Sequence, residues 1–181
     1  MNDLSMHIID IVQNSLSAGA SRVCLTVDED PGADRLTIVV ADDGKGMTAE
    51  QVRRLADPFF TSRTTRRVGM GIPLLMQSAR QSGGDVRISS EPGKGTEVTA
   101  EFGYSDIDRP PLGDVANALM LMVSANPDRD FLFTYRYAGR EYAFDTSDVR
   151  EVFGNGALED LTLIRNLEKM IKDNMCVVRD S

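Results

Sequence analysis

Two stretches of this 181-residue chain carry residue types whose spacing suits chemistry. The first, VVADDGKGMT (residues 39–48), closes an apolar β-branched run with two carboxylates, Asp42 and Asp43, then Gly44, Gly46 and Met47. Charge and a permissive backbone at the end of a strand are what a ligand-cradling loop uses, although Asp-Gly also suits an ordinary turn with Lys45 in solvent. The commonest phosphate loops are excluded. Neither Gly44-Lys45 nor Gly93-Lys94 has the glycine five positions earlier that a GxxxxGK[ST] loop requires. The GMGIPL run lacks the third glycine of a dinucleotide fingerprint and follows an irregular loop instead of a first strand. The second stretch gathers Arg53, Arg54, Arg63, Arg66 and Arg67, five of the chain's 20 basic residues, around a single acid, Asp57. Guanidinium forks match phosphate oxygens, so such a cluster in an acidic chain suits a polyphosphate. Arg53 and Arg54 fall on a helix and read as solvated, which leaves the loop arginines to do this work.

These residues need elements to hold them. MHIIDIVQNSLSAGA has apolar residues at 8, 9, 12 and 16 and polar ones at 7, 10, 13, 14 and 17, which predicts an amphipathic helix that Gly19 can end. Asp10 and Asn14 lie one turn apart on its polar face, with His7 upstream on the same stripe and read as structural or exposed. RVCLTVDED and RLTIVVAD read as a hairpin about PGAD. Thr48 with Gln51 resembles a capping box for a short helix, and Pro73 with Gly83 and Gly84 frames another over IPLLMQSARQS. DVRISSEPGKGTEVTAEF then gives two strands about a Pro-Gly turn. The order over residues 1–103 is α-β-β-α-loop-α-β-β.

Composition sets the limits. A formal net charge of -8 argues against nucleic acid or an anionic membrane surface as a generic partner. Two unpaired cysteines, Cys24 and Cys176, and one histidine form neither a disulfide framework nor a Cys/His zinc site, so reduced thiols in the cytoplasm are expected. The first residues have no basic leader region, and no apolar run approaches the roughly 20 residues that span a bilayer.

Taken together, an asparagine in the opening helix, DxGxG after a strand, a Phe-Phe pair before a basic loop, GxG opening a helix and GT in the penultimate strand resemble the GHKL superfamily. This is the Bergerat-fold ATP-binding domain of gyrase B subunits, heat-shock chaperones, sensor histidine kinases and MutL mismatch-repair proteins. The resemblance covers residues 1 to about 103. DIVQNSLSAGA is similar to the MutL asparagine box, while DPFFTSR and EPGKGTEVTAEF are closer to a histidine kinase. It implies an α+β fold, a mixed sheet covered by helices on one face, with an ATP-binding domain over 1–104 and a small α+β segment over 105–181.

The resemblance also implies roles. Asp42 would accept the adenine amino group, with Gly44 and Gly46 letting the backbone pass close to the purine, Met47 beside them, and Thr96 supporting Asp42 directly or through a water. Asn14 would hold magnesium against the phosphates through its amide oxygen, since an ion bound mainly by phosphate and water needs few protein ligands. Residues 61–68 correspond to the ATP lid, with Arg63 and Arg67 on the phosphates. Gly69 and Gly71 open a helix whose first N–H groups face them. Phe59 and Phe60 would anchor the lid in the core. Asp10 occupies the slot where hydrolysing relatives place a glutamate base, and a carboxylate one methylene shorter leaves hydrolysis open. With 13 residues ahead of Asn14, no phosphoacceptor helix of the kinase kind is expected there.

Beyond 104 the resemblance thins. DIDRPPLGD reads as a linker into a helix over VANALMLMVSA. FLFTYRYAGREYAFDT reads as a hairpin holding six of the chain's eleven Phe and Tyr residues, and Leu158, Leu161, Ile164, Leu167 and Ile171 mark an amphipathic helix. The expected activity is Mg-ATP binding with transfer of the γ-phosphoryl group to a separate protein acceptor, a homodimer being compatible with it. The alternative is a slow ATPase or ATP-operated switch with Asp10 as base.

Overall fold

The computed structural model describes residues 3–57, 59 and 71–181. The side chain of Asp3 caps helix α1 (Leu4–Ser17), accepting the Met6 N–H at 3.1 Å, and the helix buries Leu4, Ile8, Ile11, Val12 and Ser15 along one face. Strands β1 (Arg22–Asp30) and β2 (Arg35–Asp42) form the expected antiparallel hairpin, with Val23 opposite Asp42. Helix α2 (Ala49–Ala56) starts on the Thr48–Gln51 capping box in both directions, and α3 spans Gly71–Gln81. Strands β3 (Asp85–Glu91) and β4 (Gly95–Gly103) follow, and β4 pairs with β2 so that Thr96 stands opposite Asp42.

The segment after 104 adds α4 (Val115–Ala125), β5 (Asp130–Tyr137), β6 (Arg140–Asp145), α5 (Thr146–Phe153), a single 3-10 turn (Ala157–Glu159) and α6 (Leu161–Asp180). Strand β5 lies parallel to β1, from Arg22 opposite Asp130 to Glu29 opposite Tyr137. The result is a mixed sheet of order β3-β4-β2-β1-β5-β6. Along β1, Val23, Leu25, Val27 and Glu29 are buried while the alternate residues are half-buried, so one face of the sheet carries the core. The aromatic hairpin turns Phe131, Phe133, Tyr135 and Phe144 onto that face, where they join the cluster formed by α1, α4 and α6. Each such side chain stabilises by about 1.5–3 kcal/mol relative to exposure.

Several sequence expectations are corrected here. The 106–114 linker does lead into α4, and it is docked on the start of α1. Leu4 and Ser5 donate their N–H groups to Pro111 and Leu112 at 2.9 Å, and Gly113 passes so close to Asp3 and Ser5 that a side chain there would overlap both. His7 is buried, 3% exposed, not on the solvated stripe. Phe59 is 81% exposed and does not anchor a lid in the core, and Phe60 lies outside the described residues. Leu161, the first residue of α6, is 62% exposed, and the buried stripe runs instead through Ile164, Leu167, Ile171 and Met175. Helix α5 was not foreseen. Asp145 starts it by accepting the Ser147 N–H at 2.9 Å.

Candidate functional site

A cavity of about 220 Å³ opens between α1, the loop after β2, α2, α3 and β4. Its apolar walls include Ile11, Met47, Leu55, Ile72 and Val98, and its polar lining includes Asn14, Ser15, Ser17, Asp42, Lys45 and Thr96. A largely apolar cleft with a few convergent polar groups is the usual form of a small-ligand site.

Asp42 reaches this cavity because it ends β2 opposite Thr96, where the chain leaves the sheet. Its carboxylate is fixed on both oxygens. Ser15 Oγ donates to Oδ2 at 2.6 Å, and the Gly44 N–H donates to Oδ1 at 2.8 Å. An ionised carboxylate accepts about four hydrogen bonds, so acceptor capacity remains for a ligand. Asp43, next along, turns away and accepts from Ser21 N, Ser21 Oγ and Arg22 N, locking the base of the loop to the start of β1 and holding its own carboxyl below the ordinary range, chiefly through the Ser21 hydroxyl.

The loop that follows is clasped on two sides. Lys45 donates its N–H to Ala18 O at 2.9 Å at the end of α1, and Gly93 donates to Lys45 O at 2.7 Å from the β3–β4 turn. A side chain at Gly44 would meet Ala18 O at 2.9 Å. One at Gly46, where φ is +69°, would overlap Glu91 O at 1.9 Å. Glycine is needed at both positions, because the loop backbone passes this close to the end of α1 and to the end of β3. Across the turn, Thr96 Oγ1 lies 2.8 Å from Ser90 Oγ, which also accepts the Met47 N–H at 2.8 Å. Thr96 is thus tied to Ser90, while Asp42 is held by Ser15 and Gly44.

Asn14 lines the cavity one turn beyond Asp10 on α1. Gly71 begins α3 directly on Asp10, and a side chain there would sit 3.0 Å from Asp10 Cβ. Burial raises the Asp10 carboxyl above its ordinary value. Asp10, Asn14, Asp42, Gly44, Gly46, Met47, Gly71 and Thr96 therefore surround one cleft or abut its edge. Arg63, Arg67 and Gly69 lie outside the described residues. Ser15 and Ser90 belong to the site and were not singled out in the sequence. The signal for Ser15 was available, as a hydroxyl three and four residues after Val12 and Ile11 on the apolar face of α1.

Residues 2–105 match the family described as histidine kinase-, DNA gyrase B-, and HSP90-like ATPase. The chain is 28% identical over 95 residues to sporulation kinase C of Bacillus subtilis (strain 168), covering 52% of this chain and 22% of that one. It is 32% identical over 97 residues to the sensor histidine kinase ZraS of Klebsiella oxytoca, covering 53% and 21%. The chain thus spans about a fifth of the length of these relatives. In fold it is similar to the N-terminal domain of a DNA repair protein, with a TM-score of 0.57, 16% identity and coverage of 86% of this chain and 58% of that one. It is similar also to the Aquifex aeolicus MutL ATPase domain solved with ADP, with a TM-score of 0.50, 18% identity and coverage of 84% and 69%. Both matches cover more of this chain than the family region does. The chain belongs to the histidine kinase-, DNA gyrase B- and HSP90-like ATPase family, the GHKL superfamily.

Proposed function

We propose that this protein binds Mg-ATP in the cleft, adenine against Asp42, and transfers the γ-phosphoryl group to an acceptor on a separate protein. The observation that carries the nucleotide assignment is the Asp42 carboxylate. It is fixed by Ser15 and Gly44 at 2.6 and 2.8 Å and faces an apolar cleft with acceptor capacity to spare. A directed acceptor between apolar walls selects an amino-bearing planar base, because a base lacking the amino donor leaves the carboxylate unpaired. Asn14 offers a neutral amide oxygen, which suits a magnesium ion held mainly by phosphate and water. The bound ion would neutralise phosphate charge. Arg63 and Arg67 in the lid, and the N–H groups following Gly69 and Gly71, would supply further positive potential to the phosphates. Positioning and charge neutralisation are most of what phosphoryl transfer requires of a protein.

A second reading, slow hydrolysis driving a conformational switch, is favoured by one observation. Asp10 is partly buried against Gly71, and burial raises its carboxyl above its ordinary value, the direction that favours a general base. The test is phosphate release from Mg-ATP by the wild type beside Asp10→Asn, with nucleotide binding followed by calorimetry. Binding with no release supports phosphotransfer awaiting its acceptor. Release that vanishes in Asp10→Asn while binding persists supports hydrolysis, and its rate then rises with pH through a midpoint above the ordinary Asp value. Absence of nucleotide binding overturns both readings.

A further inference from the structure

Ser90 stands where the two loops framing the cleft meet. Its hydroxyl accepts the Met47 N–H at 2.8 Å, lies 3.0 Å from Gly95 O and 2.8 Å from Thr96 Oγ1. A serine hydroxyl has one proton and two lone pairs, so these three contacts admit a single assignment. The Met47 N–H occupies one lone pair. A carbonyl oxygen can only accept, so the Ser90 proton goes to Gly95. The remaining lone pair must take a proton from Thr96.

This count fixes what Thr96 can offer a ligand. Its one proton is committed to Ser90, so its hydroxyl faces the cleft with a lone pair only. Asp42, which receives protons from Ser15 and Gly44, is likewise an acceptor. The two opposed positions of adjacent strands β2 and β4 that face the cleft, Asp42 and Thr96, therefore both present acceptors. A 6-amino purine donates into such an edge. A 6-oxo purine sets an oxygen against it, with no donor from either side chain to meet it.

We infer that Ser90 is a positioning residue that determines base specificity, acting through the proton of Thr96. With Ser90 removed, Thr96 is free to turn and donate into the cleft, and the penalty on a 6-oxo purine falls. This rests on the nucleotide reading of the cleft given above. A role limited to joining the two loops would instead weaken both kinds of purine alike.

The experiment is calorimetric titration of the full chain with Mg-ATP and Mg-ITP, which differ in carrying a 6-amino or a 6-oxo group. It uses the wild type, Ser90→Ala, Ser90→Thr, Thr96→Val and the Ser90→Ala/Thr96→Val double variant. Ser90→Ala is expected to narrow the ATP-over-ITP preference roughly tenfold, the size of one lost directional hydrogen bond. Ser90→Thr restores the preference, and Ser90→Ala leaves it unchanged in the Thr96→Val background. An unchanged ratio in Ser90→Ala overturns the inference, as does an equal shift in the Thr96→Val background. A wild type that binds neither nucleotide overturns the reading of the cleft as well.

Discussion

The hydrogen-bonded β1–β2 hairpin carries a carboxylate near each end, and the two are used differently. Asp42, paired with Val23, and Glu29, paired with Leu36, lie at opposite ends of the hairpin, about 20 Å apart by strand rise. Both accept from a buried hydroxyl, Asp42 from Ser15 and Glu29 from Tyr135. At Glu29 the remaining space is closed. The residue is 7% exposed, Arg179 of α6 reaches it at 3.6 Å and donates to Tyr135 Oη at 3.1 Å, and the guanidinium also stacks on the Tyr135 ring. Burial, with Glu29 beside it, pushes the Tyr135 hydroxyl far above its ordinary value and raises Tyr104 to about 12. At Asp42 the carboxylate faces a cavity, and glycines in place of side chains keep the backbone close to it. The same chemical pair thus fastens the C-terminal helix at one end and leaves acceptors available at the other.

The largest expected effect separates the ends by stability. Glu29→Ala leaves the proton of the buried Tyr135 hydroxyl without its acceptor and Arg179 without its acid. It should cost about 3 kcal/mol, or roughly 6–12 °C in Tm by calorimetry, because a buried group without its partner keeps its whole desolvation penalty. Nucleotide affinity, measured where the variant is folded, should stay within about twofold. A loss of affinity comparable to the loss of stability would show that the two ends are one unit.

Ser15→Ala makes the complementary change at the open end. It removes the 2.6 Å donor to Asp42 and should weaken Mg-ATP binding roughly tenfold in calorimetry, with a smaller effect on Tm. The smallest effect concerns acid. His7 lies eight residues before Ser15 on α1, about 12 Å away, and its Nδ1 is the one buried side-chain polar atom without a hydrogen-bond partner among the described residues. Burial holds its folded-state pKa below the ordinary 6.5. The unfolded chain therefore takes up the proton first, and stability falls as pH drops through and below 6.5. In pH-dependent melting, His7→Leu should flatten that slope while leaving nucleotide affinity unchanged.

The sequence was most legible where structure is local. Thr48 and Gln51 predict the α2 capping box, PGAD, the Pro-Gly turn and the Ala-Gly turn place the three hairpins, and the spacing of Gly44 and Gly46 after Asp42 points to the site. Less legible were features decided by distant partners. That β5 would lie parallel to β1 depends on contacts separated by about a hundred residues, which no local period records. His7 lies on the polar stripe with Asp10 and Asn14, and its burial is decided by packing from elsewhere in the chain. Ser15 and Ser90 escaped notice because a serine suits almost any setting, and its role is visible only through the groups its hydroxyl meets. Leu161 keeps the stripe's period, but as the first residue of α6 it is left largely in solvent.

The most direct test of the central claim is the affinity of Asp42→Asn for Mg-ATP beside the wild type, by calorimetry. Exchanging one carboxylate oxygen for an amino group puts a donor where the base must donate. A loss on the order of 100-fold is predicted with Tm nearly unchanged. Affinity within about threefold of the wild type would contradict the assignment of Asp42 to the base, and with it the account of the cleft.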